Sequence, residues 1–154
     1  MGERENKLES MGYPIDQAPK PAGLYTPVVV VGNTAYLSGM VPFEQGALKY
    51  EGKVASEVSV EDAQQAAALC AANLLRVFKR DVGPLDRIAR IVKITGFVNS
   101  DPDFTDQHVV MNGASQLILD VLGDAGKHAR SAVGMAGLPK GATVEVELIV
   151  EVAP

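Results

Sequence analysis

Polar positions dominate the start of the chain, and apolar runs of strand and helix period take over after residue 22. Residues 1–21, MGERENKLESMGYPIDQAPKP, hold Pro14, Pro19 and Pro21. Proline donates nothing to a backbone ladder, so this segment reads as an N-terminal arm, an irregular lead-in to a single domain over 22–154. In VVVVGNTAYLSGMVP, two β-prone runs flank Gly32-Asn33, a pair suited to positive φ, and predict a hairpin. Polar residues about Gly46 make a loop. Ser59 followed by Asp62 then marks a helix N-terminus, and Ala63, Ala66, Ala67, Cys70, Leu74, Val77 and Phe78 recur at helical spacing as one apolar stripe. Lys79 and Arg80 suit the negative end of that helix, and Gly83-Pro84 stops it.

IARIVKITGFVNS predicts a third strand, with Ile91 and Phe97 on one face and Val92, Ile94 and Val98 on the other. An apolar strand of this kind is at least partly buried on both sides. DPDF turns into a second helix over roughly 104–122, in which Val109, Val110, Leu117, Ile118, Val121 and Leu122 are apolar. Asn112-Gly113 disfavours a helix interior and predicts a break or kink there. A closing unit of two strands follows, about 129–137 and 143–152, joined by LPKG. In the last strand Val144, Val146, Leu148, Val150 and Val152 share one face, and Thr143, Glu145, Glu147, Ile149 and Glu151 share the other. The order β-β-α-β-α-β-β predicts an α+β two-layer sandwich, two helices covering one face of a largely antiparallel or mixed sheet. No helix is left to cover the glutamate face, which meets either water or other copies of the chain, and the strand apolar on both sides favours self-association.

Length and composition narrow the class. With 154 residues the chain is one domain, and 47% apolar against 21% charged residues excludes a disordered one. No apolar run approaches the roughly 20 residues of a membrane helix, and the charged N-terminus lacks the apolar core of a secretory signal, so a cytoplasmic location is expected by default. A formal charge of -5 with no Trp argues against a nucleic-acid grip. Cys70 is the sole cysteine, and with His108 and His128 it matches no zinc-site spacing, so no metal is expected.

Candidate chemistry gathers in ARSAVGMAGLPKGATVEVE, where Arg130 opens a strand and Glu145 and Glu147 alternate on the next. Arg130 reads either as a surface ion-pair partner or as a planar fork for a ligand carboxylate. Glu145 and Glu147 read either as a solvated face or as half-buried acids able to position water or pass a proton. Position by position, both pairs of readings stay open. Cys70 falls on a core stripe as an inert thiol, His108 on the exposed side of its helix, and His128 in the loop before Arg130. Ser38 lacks the surroundings of a nucleophile.

Taken together, the segments resemble the Rid family of reactive-intermediate deaminases, also called the YjgF family. The C-terminal stretch is similar to its signature of a strand-opening arginine, a small residue two further on, an apolar-Pro turn and an apolar-Glu-apolar-Glu strand. GLYTPVVVVGNTAYLSGMVP looks like its N-terminal Tyr and hairpin, and VKITGFVNSDPDF like its central strand. The likeness spans 22–152. It implies a chorismate-mutase-like fold and a homotrimer with clefts between subunits. It also implies cofactor-free hydrolysis of small enamine/imine intermediates of the 2-aminoacrylate type to 2-oxoacids and ammonia, the 2-iminobutanoate/2-iminopropanoate deaminase type of activity. Carried over by position, Arg130 would clamp the substrate carboxylate and Glu145 hold the attacking water, with Tyr25, Ser38, Gly39, Asn112 and Ala132 binding substrate. Such a substrate is intrinsically prone to hydrolysis, so fixing it beside a polarised water suffices. The chain departs from the family at Ala132, where a cysteine is usual, at His128-Ala129 for Pro-Ala, in a lengthened second helix, and in the arm. Those departures leave room for a second reading, a non-catalytic trimeric binding protein for small carboxylate metabolites. Ribonuclease activity ranks third, against the acidic balance and the missing histidine pair.

Overall fold

Val144, Val146, Leu148, Val150 and Val152 all turn inward, as their alternation requires, and the strand that carries them lies mid-sheet. A computed structural model describes residues 1–154. In chain order the elements are α1 (Glu3–Ser10), β1 (Val28–Val31), β2 (Thr34–Met40), β3 (Phe43–Glu44), β4 (Ala47–Leu48), α2 (Val60–Asp81), β5 (Ile88–Asn99), α3 (Gln107–Leu122), β6 (Ala129–Met135) and β7 (Val144–Val152). The main sheet runs β1-β2-β7-β5-β6, antiparallel throughout except for the β5–β6 pair, which is parallel. A parallel neighbour needs a crossover, and α3 supplies it. The predicted closing two-strand unit is therefore split: β6 and β7 are not neighbours, because β5 lies between them. The hairpin at Gly32-Asn33 forms as predicted, with Gly32 at φ 61°. Short strands β3 and β4 occupy the predicted loop around Gly46.

The faces of β5 differ from strict alternation. Its pairing with β7 slips twice, between Ile88 and Arg90 and between Ile91 and Lys93. Each irregularity adds a residue to the count, so Ile91, Ile94 and Val98 all reach the core while Val92 is left exposed and Phe97 half-buried on the opposite face. The grouping of Val92 with Ile94 and Val98 is thereby corrected.

α2 and α3 cover the inward face of the sheet. The Ser59 side chain accepts a hydrogen bond from the Asp62 N–H at 3.1 Å, the expected cap. Every residue of α2 from Leu69 to Phe78 is buried, well beyond the single predicted stripe. A helix apolar all round needs cover on all sides, and residues 1–21 provide the last of it. They are not an irregular lead-in: α1 buries Leu8 completely, and Met11, Tyr13, Ile15 and Ala18 pack on the core. Two arginines of α2 strap the segment down, Arg76 Nε donating to the Pro14 carbonyl at 2.7 Å and Arg80 Nη1 to the Pro19 carbonyl at 2.9 Å.

α3 starts at Gln107, later than predicted, and runs unbroken through Asn112-Gly113. The predicted kink is absent because Gly113 serves a different end. A methyl group there would overlap the Gln64 carbonyl, so glycine is what lets α3 lie directly against α2. Gly96 does the same for the side chain of Met111 against β5. No helix is long and apolar enough to cross a membrane.

Candidate functional site

The residues singled out from the sequence fall into two groups. Tyr25, Ser38, Gly39, Glu145 and Glu147 line one cleft of about 480 Å³ on the open side of the sheet, together with Val41, Phe43 and Lys140. The pairing of β2 with β7 is irregular between Leu37 and Met40, which spans Ser38-Gly39. Ser38 is pinned there, its Oγ donating to the Thr26 carbonyl at 2.7 Å and its N–H to the Pro27 carbonyl at 2.9 Å. Gly39 has a steric task. A side chain there would overlap the Glu145 carboxylate, so the bare backbone is what lets that carboxylate lie across β2.

Glu145 projects from β7 opposite Phe97, half-buried, and forms no ion pair. Burial first, and then the like charge of Glu147 two residues along, hold its carboxyl above the ordinary carboxylate range. Lys140, in a left-handed conformation at φ 57°, sits over the Phe43 ring at 5.4 Å and contributes a cation to the cleft rim. Sequence reasoning passed over Phe43, on β3, and Lys140, which the turn before β7 brings over it. Cys70 lies under the sheet as expected of a core thiol; burial first, then the Glu145 charge, push it well up.

Arg130, Asn112 and Ala132 form the second group, on the edge strand β6 and the facing side of α3. The Arg130 side chain turns toward the helix layer. Its Nη1 donates to Asn112 Oδ1 and to Ser115 Oγ, both at 3.0 Å, and its Nη2 to the His108 carbonyl at 3.1 Å. All these acceptors are neutral and no carboxylate pairs with it, so the guanidinium is held in place with its charge uncompensated. Asn112 thus has a structural partner as well as a helix position. Ala132, half-buried, faces the core from the same side of β6.

Within one chain the two groups do not meet. Arg130 pairs with Ile94 and Glu145 with Phe97, on strands that flank β5 on either side. Sheet spacing puts their Cα atoms roughly 14 Å apart. Their side chains also leave opposite faces, Arg130 toward α3 and Glu145 away from the helices. His108 is exposed, and His128 is half-buried in the loop before β6, as expected. Ser115, which touches both Arg130 and His128, was not foreseen.

A mixed five-stranded sheet under two helices, with an arginine at the head of β6 and a glutamate over a Ser-Gly bulge, defines a chorismate-mutase-like α+β protein. The chain belongs to the YjgF/chorismate mutase-like family, whose model, described under an endoribonuclease name, matches residues 5–152. It is 41% identical to Protein TCP17 of Trypanosoma cruzi over 145 residues, covering 94% of this chain and 91% of that one. A 2-iminobutanoate/2-iminopropanoate deaminase of Dermatophagoides farinae is 33% identical over 133 residues, covering 86% and 89%. Among solved structures, Atu1372 of Agrobacterium tumefaciens, a protein of unknown function, superposes with a TM-score of 0.90 at 46% identity, covering 97% of this chain and 92% of that one.

Proposed function

We propose that this protein hydrolyses small 2-imino acids and their enamine tautomers to 2-oxoacids and ammonia, in clefts assembled between copies of the chain, arranged as a homotrimer. The observation that carries this reading is the pairing of two incomplete halves. A guanidinium is fixed by neutral acceptors with its charge free, and an acid with a raised pKa is free of any ion pair, yet the fold keeps them on opposite faces. A neighbouring chain that brings its Arg130 to the Glu145 cleft would complete the site. The open face favours such a contact, since Val29, Tyr36, Val92, Val133 and Met135 are all exposed on the sheet strands.

In that arrangement Arg130 takes the substrate carboxylate through its planar fork, which fixes the iminium carbon over the cleft. Glu145 accepts a proton from water as the water adds to that carbon, and a C–O bond forms while the C=N π pair moves to nitrogen. Glu145 passes that proton to the amine and then takes the hydroxyl proton as the C–N bond breaks and the C=O forms; the released ammonia picks that proton up, so ammonium leaves with the 2-oxoacid and the carboxylate is restored. A carboxyl held above its usual range is suited to carry a proton through such a cycle. Ser38 and Tyr25 furnish hydroxyls on the cleft wall. The deaminase name of the Dermatophagoides farinae relative supports the same chemistry.

The test couples the purified protein to a pyridoxal-phosphate lyase that releases 2-aminoacrylate. Wild-type protein should accelerate pyruvate formation over the spontaneous rate, and Arg130→Ala should lose about 10²-fold or more of that acceleration. A wild-type rate equal to the spontaneous one overturns the proposal.

A further inference from the structure

The guanidinium of Arg130 ends a longer chain of hydrogen bonds that begins in the loop before β6. His128 Nδ1 lies in hydrogen-bonding contact with the Gly126 carbonyl, and His128 Nε2 lies 2.9 Å from Ser115 Oγ. A carbonyl can only accept, so Nδ1 carries the hydrogen, and Nε2 of the neutral ring is left as an acceptor. The Ser115 hydroxyl therefore donates to His128, and its lone pairs turn to Arg130 Nη1, 3.0 Å away. The polarity runs one way, from Arg130 N–H to Ser115 O–H to His128 and on to Gly126. A cationic His128 would instead donate to the second lone pair of that oxygen, and the Ser115 hydroxyl hydrogen would lose His128 as its acceptor.

The chemistry of this chain is that it holds an arginine without spending its charge. An aspartate or glutamate at the Ser115 position would grip the guanidinium more tightly, but it would neutralise the group needed for an anion. Ser115 and His128 provide directed acceptors at no charge. Asn112, one turn of α3 earlier, provides another. His128 ties the loop before β6 to its own Gly126 carbonyl and, through its other ring nitrogen, to Ser115.

We propose that Ser115 and His128 are positioning residues for Arg130, setting the guanidinium for a ligand carboxylate through a neutral, tautomer-specific chain. The inference rests on the proposed role of Arg130 and deepens it. Ser115→Ala and His128→Ala should raise KM for the imino acid, and Kd for 2-oxobutanoate measured calorimetrically, about five- to tenfold with kcat nearly unchanged. Ser115→Thr and His128→Gln, which restore the hydroxyl and the acceptor, should recover most of that loss. Ser115→Asp is the discriminating variant. A role limited to holding the fold predicts near-normal affinity and an equal or higher Tm, because an ion pair is gained. The proposal predicts a Kd weakened more than in Ser115→Ala despite that tether. Nitrogen-15 NMR of the histidines supplies a readout that needs no ligand: His128 should show the Nδ1–H tautomer at neutral pH. An Nε2–H tautomer, or Ser115→Asp binding like wild type, overturns the chain. If wild-type protein binds no 2-oxobutanoate and hydrolyses no imine, the proposed function falls, while the tautomer still decides whether the chain exists.

Discussion

Glu145 costs the fold stability. Its carboxyl keeps its proton to a higher pH in the folded chain than in the unfolded one, because burial and Glu147 oppose the charge. Between the ordinary carboxylate value and the raised one, the folded state binds more protons, so stability falls as pH rises through that window and stays lower above it. Glu145→Gln should therefore melt at a higher temperature than wild type at about pH 8, and the gain should close below about pH 4, where both states are protonated. Imine hydrolysis should fall about 10²-fold or more in the same variant. A lower Tm at the alkaline end would mean that the carboxylate is ion-paired in the assembled protein instead of free for water. Tyr25, Ser38, Gly39 and Glu145 were named through the family resemblance, since position by position the sequence left Glu145 open, and the fold brings these four into one cleft. Glu145 alternates with core valines, and Ser38-Gly39 is a bulge that admits a carboxylate. The Ser115–His128 contact was not legible. It joins residues 13 positions apart through the packing of a helix end against a strand start, and no local pattern encodes that.

Elements followed from the sequence more readily than their surroundings did. The cap at Ser59, the hairpin at Gly32 and the inward face of β7 depend on single residues and strict periods, and each is where the pattern puts it. β5 defeated the period-2 reading because bulges are set by how strands pair, which a single strand does not reveal. The run AAALCAANLL in α2 did carry a signal of all-round burial, since apolar residues fill every helical face, and that burial is what gives residues 1–21 their place. Asn112-Gly113 shows how a propensity argument fails: the local cost of glycine in a helix, about 1 kcal/mol, is outweighed by the close contact it allows. Gly113→Ala should improve helix propensity yet destabilise the protein by about 1–3 kcal/mol, because the new methyl group meets the Gln64 backbone, which cannot rotate away as a side chain could. Urea unfolding would measure it, and a stabilised variant would show that α2 and α3 are not in the contact described.

At the scale of the whole molecule, the separation of Arg130 from Glu145 makes a demand that neither residue makes alone. An arginine loaded with free charge on one face and a protonatable acid on the other can act on one small anion only if different copies supply them, and cyclic symmetry then repeats the joint site at each interface. This gives a test that does not depend on knowing the physiological substrate. Arg130→Ala and Glu145→Gln proteins should each be inactive alone. Unfolded together and refolded in equal amounts, they should regain about a quarter of wild-type activity, the fraction of interfaces that draw an intact Arg130 from one variant and an intact Glu145 from the other. A site contained within a single chain predicts no recovery at any mixing ratio. Light scattering on the same samples separates the remaining cases: a refolded trimer without recovery would place the reacting groups in one chain, and a monomer would remove the shared cleft altogether.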